Sequence, residues 1–251
     1  MGAVIQVQKQ YVISTPWGMA RAEIDLPENP IRLSELPELL WPLAEACEAL
    51  GRDNKAHGCQ AVTCRAGCGA CCRQLVTISP AEAWALRHIM AELPDAEAAV
   101  LGERFREVEC ALEREGFLDA LRQINDPEID AEAHYELARE YFGRAVACPF
   151  LEAESCSIHE LRPLTCREYL VSTPAVACGD PFEQEIKRVF YAAPLAEALA
   201  MVSARKGNVP GPHVVLGTLK SWAVAEPDED FDPDALLQKV ILTAEMLMGI
   251  Q

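Results

Sequence analysis

Residues 64–82 read Cys-Arg-Ala-Gly-Cys-Gly-Ala-Cys-Cys-Arg-Gln-Leu-Val-Thr-Ile-Ser-Pro-Ala-Glu, and three kinds of local structure follow one another along them. Cys64, Cys68, Cys71 and Cys72 form a C-x3-C-x2-C-C arrangement. Gly67 and Gly69 let the backbone between them fold tightly, so that thiolates converge on one ion or cluster while amide N–H groups point at sulfur. A helix is the rival geometry, since positions i, i+4, i+7 and i+8 share one face. Two glycines so close together favour the loop. Leu75–Ile78 then reads as extended. Ser79, Pro80 and Glu82 make the clearest helix start in the chain: a capping hydroxyl, a proline at the first helical position and the glutamate of a capping box.

Working outward, Ile5, Val7, Tyr11 and Ile13 alternate before a Thr-Pro-Trp-Gly bend at 15–18, and Ala20, Ala22, Ile24 and Leu26 alternate after it. That pattern predicts a β-hairpin within residues 1–30. Ser34 opens an apolar-periodic segment to about Leu50, which Pro37 and Pro42 are expected to bend or split. Downstream of the capping box, helices are predicted to Leu93, over Asp95–Leu121 with Gly102 and Gly116 as weak points, and over 129–143. Two more are predicted over 182–206, interrupted at Pro194, and over 234–249; 207–233 reads as a loop. The expected fold is mainly α: one irregular helical domain over 1–251 with a small N-terminal β-hairpin. Its cysteine-rich metal-binding core is built from loops within 60–180, and a helical C-terminal part follows over 181–251.

Cys148, Cys156 and Cys166 form a second group, with gaps too wide to be diagnostic alone. Seven thiolates exceed the four that one tetrahedral zinc needs, so either two metals bind or some cysteines serve as outer-layer or redox groups. Cys72 poses a difficulty, because adjacent side chains diverge. Cys178 is a weaker eighth candidate, and Cys59 and His57 are outside ones. Cys47 and Cys110, on helix-like stretches, read as small buried hydrophobes. No acid stands between Asp53 and Glu82 in a chain with 39 of them, which favours Arg65 and Arg73 beside anionic thiolates. The second group does not share this feature, since Glu152, Glu154, Glu160 and Glu168 lie close to its cysteines. Arg162 and Arg167 flank Cys166 and are expected to hydrogen-bond carbonyls or balance thiolate charge, with binding of a substrate carboxylate as the alternative. His88 and His134 sit in helix-like segments with structural or solvent-facing roles.

Half of the 251 residues are apolar, enough for a sizeable core, and the net charge is -17. That balance argues against a nucleic-acid surface and disfavours anionic membranes. The N-terminus has no basic start or apolar h-region, Gln6 stands where a myristoylation signal wants Ser or Thr, and no run of about 18 apolar residues exists. A cytoplasmic protein is expected. Eleven cysteines are an odd number, and in a reducing cytosol the clustered ones read as ligands or reactive thiols rather than crosslinks.

The combined pattern joins Cys64-x3-Cys68-x2-Cys71-Cys72 to Cys148-Pro-Phe-Leu and Cys156-Ser-Ile-His-Glu-Leu-Arg-Pro-Leu-Thr-Cys166-Arg. Over roughly 60–180 it resembles the YkgJ-type CxxCxxCC cysteine-cluster family of zinc- or iron-chelating proteins. The resemblance implies metal binding by these seven cysteines, with zinc or an iron–sulfur cluster as cofactor, since thiolates suit both. His159 stands where that family is expected to have Tyr, either as a packing substitution or as an added polar group near the site. Flagellin lysine-N-methylases contain a similar cysteine domain, so the alternative is an S-adenosylmethionine-dependent methylase acting on a protein substrate. Cys64-x3-Cys68-x2-Cys71 is also the spacing with which radical S-adenosylmethionine enzymes hold a [4Fe–4S] cluster. Ala70, however, occupies a position where those enzymes often carry an aromatic, and the strand–helix alternation of their barrel is missing. No G-x-S-x-G, phosphate-binding loop, H-E-x-x-H or dinucleotide fingerprint appears. The leading expectation is a metal-binding protein with a structural, redox or metal-handling role.

Overall fold

The alternating residues of the N-terminus form an antiparallel hairpin, β1 (Gln6–Thr15) and β2 (Gly18–Pro27), closed at Thr15 opposite Gly18. The computed structural model describes residues 6–53 and 61–250. Gly2, Ile5, His57 and Cys59 therefore lie outside the described residues. Tyr11, Ile13, Ala20, Ala22, Ile24 and Leu26 enter the core, while Val7 stays exposed.

The other strands are β3 (Thr77–Ile78), β4 (Leu151–Glu152), β5 (Ser155–Cys156) and β6 (Val214–Val215). The described strands make three two-stranded antiparallel sheets, β1-β2, β3-β6 and β4-β5, an arrangement unlike that of a β/α barrel. The helices are α1 (Leu36–Asp53), α2 (Pro80–Ala91), α3 (Asp95–Arg114), α4 (Phe117–Leu121), α5 (Ala131–Gly143), α6 (Leu164–Glu168), α7 (Leu195–Lys206) and α8 (Pro233–Leu247). The protein is mainly α, as the periodicity predicts.

Three local expectations are corrected. Pro42 lies inside α1 without splitting it. The cost of an interior proline, about 3 kcal/mol, is offset because Leu36, Leu40, Leu43 and Cys47 on one face are fully buried, each aliphatic contributing about 2 kcal/mol. Residues 182–194 are not helical, and the helix begins only after Pro194. Instead this stretch lies along 170–172, with Val189 N–H donating to the Leu170 carbonyl at 2.7 Å and Ser172 N–H to that of Lys187 at 2.9 Å. The predicted loop over 207–233 contains β6, whose partner β3 is too far away in sequence for any local pattern to announce it. Gly116, at φ 65, does separate α3 from α4, whereas Gly102 sits inside α3.

Three apolar clusters hold these elements. The largest joins the hairpin, α1, α7 and α8; the second joins α2, α3 and β6; the third joins α3, α4 and α5. The second cysteine segment is tied to two of them. Phe150 packs edge-on against Phe105 in the second cluster, with ring centroids 5.6 Å apart, and Leu164 is fully buried in the first. Among the described residues no helix is long and apolar enough to cross a membrane.

Asp234, in the first turn of α8, clasps the hairpin. Its carboxylate accepts from Tyr11 Oη at 2.5 Å and from Lys9 Nζ at 3.0 Å, and these two donors hold its pKa below the usual 3.8. A carboxylate depressed in the fold contributes stability above its unfolded pKa and loses it as pH falls through the folded value. Asp234→Asn is expected to cost about 1 kcal/mol at neutral pH. Thermal melts should show the gap between variant and parent closing below pH 3.8.

Candidate metal centre

Between Thr63 and Gln74 the chain makes successive tight turns rather than a helix. Cys68 N–H donates to the Arg65 carbonyl at 3.2 Å, Cys72 N–H to that of Gly69 at 3.0 Å and Gln74 N–H to that of Cys71 at 3.1 Å. Gly67, at φ +83, supplies a left-handed position that an L side chain adopts only with strain. The second segment is as tight. Strands β4 and β5 are joined by two consecutive left-handed residues, Ala153 at φ 46 and Glu154 at φ 61, as the primed two-residue hairpin loop requires. Ser157 closes its base, with N–H and Oγ donating to the Phe150 carbonyl at 2.9 and 3.0 Å.

The two segments dock at the cysteines themselves. Cys148 N–H donates to the Cys72 carbonyl at 2.7 Å, and Arg73 grips Glu154 through two bonds of 2.7 and 3.0 Å. Gly69 is buried beneath the β4-β5 hairpin: a Cβ there would lie 2.3 Å from Leu151 Cδ1 and 2.7 Å from the Glu154 carbonyl oxygen. Gly69 therefore permits close approach, whereas Gly67, with open space around it, permits a backbone angle. Gly67→Ala is expected to cost about 1 kcal/mol of strain and leave metal content unchanged. Gly69→Ala must push the segments apart, at about 1–3 kcal/mol, and lower metal content as well. Melting and elemental analysis of the pair separate the two roles.

Burial raises the thiols of Cys64 and Cys156, lifts Cys166 well above its ordinary value, and pushes Cys148 up to about 12 and Cys178 up to about 11. Cys71 is the exception. A hydrogen bond from the Cys72 thiol brings it down to about 7 and raises Cys72 in turn. The thiols of Cys71, Cys148 and Cys156 raise that of Cys166, and Cys71 and Cys68 raise that of Cys64. Several buried thiols in mutual reach resist joint ionisation unless a cation is added. Arg162 supplies one protein cation, favouring the ionised forms of Cys64, Cys71 and Cys156.

All ten described cysteines are free. Among the described residues no three His, Cys, Asp or Glu side chains stand in a ligating arrangement. The donor set itself, soft sulfur beside one arginine, is of the kind that takes zinc or iron.

Other expectations meet mixed outcomes. The Cys71 and Cys72 thiols are hydrogen-bonded to each other rather than divergent. Cys47 is fully buried, but Cys110 is exposed on α3, since its position falls off that helix's apolar face. Arg73 pairs with Glu154, so an acid of the second segment meets a cation of the first. Arg65 is exposed. Arg162 Nε donates to the His159 carbonyl at 3.0 Å; Arg167 donates to the carbonyls of Arg162 and Glu160 and stacks over Trp41 at 4.5 Å. Both arginines thus brace the turn between Cys156 and Cys166. Burial, then Arg162 and Arg167, hold the His159 imidazole below its ordinary pKa. Cys178 is buried, its thiol bonded to Tyr169 and its carbonyl accepting from Gln74 Nε2 at 3.2 Å. His88 is solvent-facing and meets Glu226 at 3.1 Å.

Two positioning carboxylates are not evident as such in the sequence. Glu82 completes the capping box of α2 with one oxygen, and with the other accepts Leu164 N–H, at the start of α6, at 2.6 Å. Glu168, at the end of α6, accepts Ala196 N–H at the start of α7 at 2.7 Å, and burial pushes its carboxyl up to about 8. The S-x-x-E pattern announces the first bond of Glu82 and nothing announces the second. Cys166 sits on α6 between these two anchors.

The family model CxxCxxCC, described as a putative zinc- or iron-chelating domain, matches residues 63–189. Both ends of that span are fastened to one stretch of chain, Thr63 N–H to the Val171 carbonyl at 2.9 Å and Val189 N–H to that of Leu170 at 2.7 Å. No curated protein and no solved structure matches the chain.

Proposed function

The chain belongs to the CxxCxxCC family, and from that premise we propose that it is a cytoplasmic metal-binding protein. Cys64, Cys68, Cys71, Cys72, Cys148, Cys156 and Cys166 hold zinc, or iron as an iron–sulfur cluster. Arg162 offsets thiolate charge, while Arg167 and the His159 carbonyl keep the turn before Cys166 in place. When bound, the metal supplies a crosslink between two stretches of chain far apart in sequence. The observation that carries this function is the Cys148–Cys72 backbone bond of 2.7 Å, which brings one cysteine group against the other.

Elemental analysis and absorption of reduced protein purified without air provide the test. A colourless zinc protein, or a brown one with iron and acid-labile sulfide, is the expected result, and the two outcomes choose the cofactor. A folded, reduced and metal-free protein that takes up neither zinc nor iron overturns it.

A further inference from the structure

The two strands of the N-terminal hairpin present different edges. Exposed positions of β2 carry Arg21, Glu23 and Asp25, and α1 packs along that strand. On β1 the even positions are Gln6, Gln8, Gln10, Val12 and Ser14, with no charge among them. The register that closes at Thr15 opposite Gly18 gives the odd residues of β1 to the ladder with β2. Ser14 agrees with that parity, since its N–H turns away from β2 to Glu245 Oε1 at 2.7 Å. The N–H and C=O groups of Gln8, Gln10 and Val12 therefore face the other edge, where they meet no partner among the described residues. Proteins commonly block such an edge with charge or cover it. Along these three residues β1 has neither protection.

Helix α8 lies beside this edge across a cleft of about 620 Å³, whose walls include Gln10, Val12, Gln238 and Leu242. The charged groups of the cleft are engaged: Asp234 holds Lys9 and Tyr11, and Glu245 holds Ser14. The exposed positions of α8 are Ala235, Gln238, Leu242, Met246 and Leu247, none of them charged, in a chain that is 24% charged. The first four recur at helical spacing and share one face. Leu242 is 59% and Met246 74% exposed, and α8 carries three exposed large hydrophobics where every other described helix or strand has at most one.

We propose that this face joins two copies of the chain. The β1 edges pair antiparallel across a two-fold axis to make a four-stranded sheet, and the uncharged face of α8 packs against its own copy. At a net charge of -17 self-association is opposed by repulsion unless the surfaces that meet carry no free charge, and this surface carries none. A basic peptide, the other occupant that an acidic chain attracts, finds both carboxylates of the cleft already taken. A two-fold interface must also complement itself. A strand edge does so, because each donor faces an acceptor when the strand runs antiparallel to its own copy. Centring the axis on Gln10 sets Lys9 across from the partner's Tyr11, so the two lysines do not oppose each other.

The test is the mass of the reduced full chain by sedimentation and light scattering over a wide range of concentration, with hydrogen exchange over residues 8–12. The parent is expected at twice the mass of one chain. Gln10→Lys sets like charges across the axis, and Leu242→Glu puts charge into the apolar face; each is expected to weaken association about 100-fold, with far-UV circular dichroism retained. Exchange over 8–12 should be slower in the parent than in either variant. Glu23→Lys, on the charged strand, should remain dimeric. A parent that stays monomeric at high concentration overturns the proposal. So does a dimer that survives both variants or leaves 8–12 unprotected. A dimer that a chelator takes apart while Gln10→Lys and Leu242→Glu leave it intact is held through metal, and that also overturns it. A metal-free protein that still dimerises through β1 keeps this inference while removing the metal-binding function.

Discussion

Stripping the metal from reduced protein with a strong chelator is expected to lower the melting temperature by about 10–20 °C, and reloading zinc or iron should restore it. Structural zinc in small domains contributes on the order of 10 kcal/mol, because the unfolded chain offers no formed site. Here the Cys148–Cys72 bond and the Arg73–Glu154 pair also join the two segments, so coordination is not their sole link. A loss of about 5 kcal/mol is the appropriate scale, and in a chain of 251 residues each kilocalorie shifts melting by about 2–4 °C. The damage should be local. Hydrogen exchange should accelerate first in 64–74 and 148–166, while the hairpin, α1 and α8, which share the largest apolar cluster, keep their protection. Cys68→Ser and Cys156→Ser should each reproduce part of the loss. Calorimetry with and without chelator that gives the same melting temperature would show that metal and fold are not coupled.

The parts of the fold legible from sequence are those whose signal is local. Alternation around the 15–18 bend predicts the hairpin, and Ser79-Pro80-x-Glu82 predicts the start of α2 because side chain and backbone partners lie three residues apart. The parts that were not legible depend on distant partners. Residues 182–194 carry a helical composition, but Lys187 and Val189 pair with Ser172 and Leu170 instead, and β6 pairs with the distant β3. The candidate site divides in the same way. Cysteine spacing and intervening glycines point to the thiols, and the acid-free run favours Arg73 beside thiolates, but the structure pairs it with Glu154, 81 residues further on. Gly69 looks like a turn glycine, yet its backbone needs no positive φ; the constraint is the Leu151 side chain and the Glu154 carbonyl against it. Clamps such as Gln74 on Cys178 leave no trace in periodicity at all.

Glu82→Ala is expected to cost about 3–5 kcal/mol, on the scale of truncating a fully buried aromatic. Glu82 is 3% exposed and accepts Ser79 N–H at 2.9 Å, Ser79 Oγ at 2.7 Å and Leu164 N–H at 2.6 Å. Truncation leaves a cavity and two buried N–H groups without acceptors, one at the start of α2 and one at the start of the short helix that carries Cys166. Ser79→Ala removes only the local cap and should cost about 1 kcal/mol. Glu82→Gln is the informative variant: an amide offers one acceptor oxygen and turns its NH2 toward the remaining N–H, so one helix start must be given up at about 1–3 kcal/mol. Burial raises the Glu82 carboxyl above its usual 4.5, which means that the folded state holds its proton longer than the unfolded chain does. Stability from this group therefore falls as pH rises from 4.5 through the folded value, and Glu82→Gln should flatten that decline. If Glu82 positions Cys166 through Leu164, metal affinity in Glu82→Gln should drop further than in Ser79→Ala at matched stability. Equal affinities in the two variants would confine Glu82 to the capping of α2.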